Sequence, residues 1–336
     1  MAATRVAING FGRIGRLALR ALVESKRKDI KVIAINDLGP VATNAHLLKH
    51  DSIHGEFPGK VKTFKNAIDV GSGKIQVFAE RNPLDLPWKE LKIDLVLECT
   101  GFFTKREDAA MHIKAGAKRV LVSAPATDAD LTVVFGVNEK KLRKKHKVIS
   151  NASCTTNCLA PVAQTLNNSI GIAQGFMTTI HAYTADQRVQ DTLHSDLRRA
   201  RSAASSIIPS STGAARAVGL VLPELKGKLD GTAMRVPVIN VSVVDLKFNS
   251  KKATDVKSVN AAIIKASKGP LKGILNVTDE PLVSTDFNHT MASSTVDLSQ
   301  TQVVGNKFVR VMSWYDNEWG FANRMLDTAA AIGKLG

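Results

Sequence analysis

The sequence predicts an α/β protein: a doubly wound, mostly parallel sheet, followed by an α+β domain with a mixed sheet. Three observations carry this expectation. A glycine-rich turn joins the first strand-like run to the first helix-like run. Short apolar runs then recur, with helical or polar segments between them, up to about residue 150. Beyond that point the texture changes to longer alternating strands and a long polar stretch.

In chain order, "TRVAING" reads as a buried strand, "RIGRLALRALVES" as a helix with an apolar stripe, and "IKVIAIND" as a second strand. Together they make a βαβ unit. "KIDLVLECTG", "AKRVLVSAP" and "KVIS" continue the parallel pattern, with "TKREDAAMHIKAGA" as a helical connection. A helix is expected from Cys154, a strand near "GFMTTIHAYT", a polar segment from Asp186 to Ser206, and strands in "MRVPVINVSVVDLKF" and "FVRVMSWYD". Pro161 falls inside the helix from Cys154, where it removes one helical hydrogen bond. "EWGFANRMLDTAAAIGKL" reads as a terminal helix with Trp319, Met325, Leu326 and Ala329 on one face.

At 336 residues and 44% hydrophobic composition, the chain is long enough for about two domains. Three cysteines, Cys99, Cys154 and Cys158, are too few for a secreted disulfide framework and point to a reducing, cytoplasmic setting. No signal peptide is expected in "MAATRVAINGFG", and no apolar run approaches the roughly 20 residues that cross a bilayer. The net charge of +16 suits nucleic acid, a membrane surface or small anions, and alone does not choose among them. "EKKLRKKHK", residues 139–147, has no interleaved aromatic and is expected to be a solvated helix face.

Gly10, Gly12 and Gly15 form G-x-G-x-x-G between the first strand and the first helix, where Arg13 and Ile14 lie at the helix N-terminus. The glycines permit a tight turn and close backbone approach, and the helix start offers unpaired N–H groups to a pyrophosphate. Asp37, at the end of the second strand, can accept hydrogen bonds from the adenosine ribose. A 2'-phosphate would meet that carboxylate, so the fingerprint favours NAD in a Rossmann domain.

"SNASCTTNC" poses a second question, because its two cysteines could be a nucleophile, half a metal site, a disulfide or a helix start. Asn151 or Ser153 can cap a helix whose first turn holds Cys154, and a helix N-terminus favours thiolate. A zinc site lacks CxxC spacing and further clustered ligands, and side-chain vectors four residues apart on a helix run parallel rather than toward a disulfide. A thiol nucleophile needs a base, and His181 in "TTIHAYTADQ" is the candidate.

These stretches, with "INGFGRIGR", "DLRRAR", "PSSTGAARAV", "RVPVINVSVVDL" and "WYDNEWG", closely resemble the bacterial type of phosphorylating glyceraldehyde-3-phosphate dehydrogenase along essentially the whole chain. The resemblance implies residues 1–152 as the NAD-binding domain, joined by a terminal helix at 318–336. It implies residues 153–317 as the catalytic and oligomerisation domain. It further implies that Cys154 attacks the aldehyde of glyceraldehyde 3-phosphate, that His181 takes the thiol proton, and that a thioester is released by inorganic phosphate as 1,3-bisphosphoglycerate.

By the same resemblance Thr184 and Arg235 would hold the substrate's C3 phosphate, with Arg199 a weaker candidate. Ser153, Thr155, Thr212 and Gly213 would surround the attacking phosphate. Asn317 would bind the nicotinamide carboxamide, and Arg81 and Ser123 would contact the cofactor more loosely. "SDLRRARSAASSIIPSS" would be the loop that reaches a neighbour's cofactor in a homotetramer. A glycolytic role, no membrane association and no dedicated nucleic-acid partner complete what the resemblance implies.

Departures from the common pattern are Ala185 for Asn or Gly, Arg216 for Lys, and Phe321 for Tyr; none removes a reacting group. Thr192 and Leu193 stand where NAD-specific members often carry Leu and Pro. An erythrose-4-phosphate dehydrogenase or an NADP-preferring paralogue would reuse the same cysteine and histidine. Asp37 and the two-phosphate constellation favour the three-carbon substrate and NAD.

Overall fold

A computed structural model describes residues 3–336. Two compact units divide it: Met1–Ser153 with Ala322–Gly336, and Cys154–Phe321. The first is built on a nine-stranded sheet. Its order is Leu131–Thr132, Val148–Ser150, Arg119–Val122, Leu95–Glu98, Thr4–Asn9, Ile30–Asn36, Lys74–Phe78, Ala67–Asp69 and Lys62–Phe64. The pairings from Leu131–Thr132 through Lys74–Phe78 are parallel, and the last two are antiparallel.

Strands buried on both faces read as unbroken apolar runs, and Val6, Ile8, Ile35, Leu95, Val96, Leu97, Val120 and Leu121 are all fully buried. Strand order reverses beside Thr4–Asn9: the chain goes first to Ile30–Asn36 on one side and later to Leu95–Glu98 on the other. That reversal opens a crevice at the carboxyl ends of these strands. The helix Arg13–Glu24 covers the sheet with Leu17, Ala18, Ala21 and Leu22. The terminal helix Trp319–Gly333 sends Thr328 to Asn151 (2.8 Å) and Asp327 to Arg27 (2.6 Å) within this unit.

The second unit is a seven-stranded mixed sheet ordered Ile208–Ser211, Leu229–Val236, Ile172–Ala182, Ser242–Ser250, Phe308–Tyr315, Ser294–Val304 and Leu275–Thr278. The helices Cys154–Ser169, Ala214–Val221 and Val256–Lys268 accompany it. Pro161 does not end the helix that starts at Cys154, which continues unbroken to Ser169.

The basic run 139–147 departs from expectation. Only Glu139–Lys141 is helical, as one 3₁₀ turn, and the rest is irregular. The run offers Leu142 as its one buried apolar anchor, too little for a stable helical face. Arg143 instead donates to the Lys140 and Leu142 carbonyls, and Asp130 accepts from the N–H groups of Lys147 and Val148.

Candidate active site

In the dinucleotide unit, Gly10 has φ +88°, and a Cβ there would lie 2.7 Å from the Thr100 nitrogen. A Cβ on Gly15 would meet the Gly10 carbonyl oxygen at 2.1 Å, whereas one on Gly12 meets open space. Two glycines thus let the turn close on itself, and the third leaves room above the helix start. Asp37 follows directly on the second strand and ties the turn down, accepting from the Phe11 N–H (2.8 Å) and the Gly39 N–H (2.9 Å).

A cavity of about 480 Å³ lies at the strand ends, with Gly10, Gly12, Asp37, Arg81, Thr100 and Phe102 on its wall. Phe102 stands 84% exposed there, an aromatic surface that the sequence reading did not single out. Ser123 reaches the wall indirectly, through a hydrogen bond to the Cys99 sulfur. The Arg13 side chain is committed elsewhere, to Asp51 at 2.5 Å. Burial raises the Asp51 pKa, but that ion pair and the N–H groups of His54 and Ile53 outweigh it and hold the carboxyl at about 2. Arg13 and Ile14 open that helix, so their main-chain N–H groups belong to its first turn. The open space at Gly12, an acceptor at Asp37 and the free aromatic face fit a dinucleotide.

Ala152, the residue before Ser153 at the end of the first unit's long segment, has φ +56°, a left-handed conformation that favours glycine. The helix starting at Cys154 follows at once. Parallel register sets His181 opposite Arg235 on neighbouring strands, and His181 Nε2 lies 3.6 Å from Cys154 Sγ. Burial holds the thiol pKa above its ordinary value, and Arg235 and the hydroxyl and N–H of Thr155 offset only part of that rise. Burial first, and then the charge of Arg235, push the imidazole down to about 3.

His181 Nδ1 sits 2.6 Å from the Ala182 carbonyl oxygen and 3.0 Å from Arg235 Nη1. The same Nη1 donates to the Ala182 oxygen (3.0 Å) and to Thr184 Oγ1 (3.1 Å). Thr184 donates in turn to Asp186, which takes Arg199 at 3.2 Å. Cys154, His181, Arg235, Thr184 and Arg199 thus form one continuous chain of contacts. Arg235 Nε is buried without a hydrogen-bond partner, a donor left over for an anion.

Thr156 Oγ1 donates to the Ala214 carbonyl (3.3 Å), tying the helix from Cys154 to the one starting at Ala214. Thr212 and Gly213 lie at that second helix start. Thr212 Oγ1 accepts from the Ala214 N–H at 3.2 Å, and Gly213 faces open space. Asn317 is buried, with Oδ1 accepting from Ser242 Oγ at 2.9 Å, which leaves its amide NH₂ as donor. Helix capping falls to Asp316, which takes the N–H groups of Glu318 and Trp319.

Tyr315 and Asp186 escaped the sequence reading. The Tyr315 hydroxyl joins Thr155 (2.9 Å) to Thr179 (2.8 Å), and its ring meets His181 edge-on at 5.9 Å. Its place in "WYDNEWG" was the available signal.

Two family models match: the NAD binding domain of glyceraldehyde 3-phosphate dehydrogenase over residues 4–106, and the C-terminal domain of the same family over 153–317. The chain belongs to the glyceraldehyde-3-phosphate dehydrogenase family. It is 67% identical over 332 residues, 99% of each chain, to the glyceraldehyde-3-phosphate dehydrogenase of Xanthobacter flavus. The protein of that name from Cereibacter sphaeroides is 62% identical over 331 residues, 98% of this chain and 99% of the relative. That from Geobacillus stearothermophilus is 56% identical over 335 residues, 99% of each. As a member of this dehydrogenase family, the chain is an oxidoreductase with an NAD-binding N-terminal domain.

Proposed function

We propose that the protein oxidises D-glyceraldehyde 3-phosphate with NAD and inorganic phosphate to 1,3-bisphosphoglycerate. The observation that carries the reading is the thiol of Cys154 at a helix start, 3.6 Å from the Nε2 of a buried histidine. Its relatives carry that enzyme's name along their full length, which weighs against a four-carbon sugar phosphate as substrate.

In this reading the Cys154 sulfur bonds to the aldehyde carbon, and its proton passes to His181 Nε2. Thr155 faces the sulfur with both its hydroxyl and its N–H, which steadies the thiolate. When bound, NAD would supply the hydride acceptor for oxidation of the resulting hemithioacetal to a thioester. Inorganic phosphate then attacks the thioester carbon, the C–S bond breaks, and the thiolate recovers its proton from His181. Gly10, Gly12, Arg13, Ile14 and Gly15 would cradle the pyrophosphate, Asp37 the ribose, Phe102 the adenine, and Asn317 the carboxamide.

Arg235, Thr184 and Arg199 form the site assigned to the substrate's phosphate; the orphaned Nε of Arg235 supports that assignment. Ser153, Thr155, Thr212 and Gly213, at two joined helix starts, are assigned to the attacking phosphate. The chain is further proposed to work in glycolysis as a cytoplasmic homotetramer. Support for assembly comes from Val189, Leu193, Leu197 and Ile207, which stand 70–92% exposed along one polar segment. Support for a cytoplasmic setting comes from three free cysteines, and among the described residues no helix is long and apolar enough to cross a membrane.

The test is NADH formation from glyceraldehyde 3-phosphate, with phosphate omitted, with NADP substituted, and with erythrose 4-phosphate as alternative substrate. Phosphate-dependent NADH formation that prefers the three-carbon aldehyde is expected. Preference for NADP or the four-carbon sugar would move the chain to a paralogous activity.

A further inference from the structure

Four neighbouring strands, Leu95–Glu98, Thr4–Asn9, Ile30–Asn36 and Lys74–Phe78, end at the cofactor cavity. Parallel register sets Glu98, Asn9 and Asn36 side by side at those ends, and each is at most 5% exposed. Their side chains lace the four ends together. The Phe102 N–H donates to the Thr100 hydroxyl (3.1 Å), which donates to Glu98 Oε1 together with the Thr100 N–H (2.8 Å). From the other side, Asn36 Nδ2 donates to Asn9 Oδ1 (2.7 Å), and Asn9 Nδ2 donates to Glu98 Oε2 (2.6 Å). The lace ends in main chain, because Asn36 also takes the Glu80 N–H (2.8 Å) and donates to the Glu80 carbonyl (2.9 Å).

The donors on both sides run toward one carboxylate. Trp88 donates to His112 Nδ1, so Nε2 carries the ring's proton and adds a further donor at Glu98 Oε2 (3.0 Å). Neither arm can reverse. Turning the Asn9 amide over would set its NH₂ against that of Asn36, and turning Asn36 as well would set an NH₂ against the Glu80 N–H. The polarity therefore depends on a side chain at position 98 that accepts at both oxygens and donates at neither. The other titratable groups nearby are engaged or outside the lace. Asp37 takes the Phe11 and Gly39 N–H groups, burial and Glu98 push the Cys99 thiol up to about 12, and Glu80 and Arg81 are exposed on the cavity wall.

We propose that Glu98 is a positioning residue for the dinucleotide: its negative charge draws the donors of the lace inward and so holds the four strand-end loops at the spacing the adenosine half requires. Its reach covers the Gly10 turn behind Asn9, the Asp37 loop behind Asn36, the Phe102 loop and the Glu80–Arg81 wall. The proposal rests on the assignment of Asp37 to the ribose and Phe102 to the adenine.

The experiment measures NAD and uncharged adenosine binding by calorimetry on the intact protein and three variants. Glu98→Gln keeps the shape but adds a donor, and it is expected to weaken both ligands by about tenfold or more, the scale of lost charge-assisted hydrogen bonds. Asn9→Asp combined with Glu98→Gln moves the charge over by one side chain. The new amide and His112 then both donate to the new carboxylate, which still accepts from Asn36. This double variant is expected to fold and to bind adenosine within about threefold of the unmodified protein. Adenosine is the probe because the moved charge has no pyrophosphate to repel. Asn9→Asp alone sets two carboxylates face to face, which must share a proton. Its affinity for NAD, relative to the unmodified protein, is expected to fall as pH rises and that proton is lost.

Unchanged affinity in a folded Glu98→Gln overturns the proposal, and so does a flat pH profile in Asn9→Asp. A group that only stabilised the fold would lower the urea midpoint and leave both of those readings unmoved. A double variant that does not fold, or that binds adenosine about tenfold or more weakly than the unmodified protein, also overturns it. That variant decides the matter if either single variant does not fold. If the unmodified protein binds NAD but not adenosine, the assignment of the adenosine half fails, and the same comparisons made with NAD decide the role of Glu98 by themselves.

Discussion

The two units each bury a histidine, and the two are treated in opposite ways. In the dinucleotide unit, His112 Nδ1 accepts from Trp88 Nε1 at 3.0 Å, so Nε2 carries the proton and donates to Glu98 at 3.0 Å. The Glu98 carboxylate also takes Asn9 Nδ2 (2.6 Å), the Thr100 N–H (2.8 Å) and the Thr100 hydroxyl. Asn9 passes the chain on to Asn36 at 2.7 Å, directly beneath the cofactor cavity. Asn9 Nδ2 and His112 Nε2, 3.2 Å apart, donate to the same Glu98 oxygen, and the Trp88 donor on the far side of the ring fixes one tautomer. At His181 two partners compete for one nitrogen. The first network closes on itself beneath the cavity, and the second leaves one ring nitrogen facing a thiol.

The contrast is most easily broken at its reactive end. His181→Asn is expected to lower kcat by about 10²–10⁴, the range for loss of a general acid–base, while the denaturation midpoint at neutral pH moves little. Steady-state rates and urea unfolding check the two halves. His112→Phe is expected to do the reverse: it strands the Trp88 donor and part of the Glu98 carboxylate, at a cost of about 3–5 kcal/mol in stability, with chemistry spared in whatever protein folds. If both variants lose activity and stability alike, the distinction between a structural and a reactive histidine is wrong.

Gly10→Ala should come next, weakening NAD binding severalfold or more, because the added carbon meets the Thr100 backbone and the φ of +88° is strained for alanine. Fluorescence titration with NADH reads this directly.

The pH dependence sharpens the comparison. The His181 pKa lies at about 3 in the native protein, below its ordinary value of about 6.5 when unfolded. Between those values the unfolded chain binds a proton that the native one does not, so stability falls as pH drops through that window. His181→Asn should therefore flatten the acid limb of a plot of unfolding midpoint against pH; an unchanged limb would assign acid sensitivity to other groups. The smallest effect is expected from Ala152→Gly, which relieves a left-handed backbone worth about 1 kcal/mol and should raise the melting temperature slightly.

Much of the fold was legible because its signals are local. The three glycines, the strand before them, the helix after them and Asp37 lie within one short stretch, and so do Cys154 and the helix it starts. What was not legible depends on register and on distant partners. His181 meets Arg235 only because two strands run parallel in one register, and Thr155 meets Tyr315 across 160 positions. The tie between His112 and Glu98 joins a strand end to the second of two short helices. Asp186 was read as part of a polar segment, because nothing in composition says which of several carboxylates will face an arginine. The basic run 139–147 misled for a related reason: charge suggested a solvated helix, but one apolar anchor cannot hold one.

The cysteines have a practical consequence. Cys158 is sealed against Ser294 and Ser313 and pushed up to about 12, and Cys99 reaches about 12 through burial and the neighbouring Glu98. Hydroxyls oppose burial at all three, but at Cys154 the Thr155 hydroxyl and N–H are joined by the nearby positive charge of Arg235. Cys158 is buried and Cys99 is partly exposed on the wall of the strand-end cavity, and Cys154 is the sulfur best placed to react in each chain. An electrophilic dye or mass tag should add once per chain, and the intact mass then counts occupied active sites without any need for turnover.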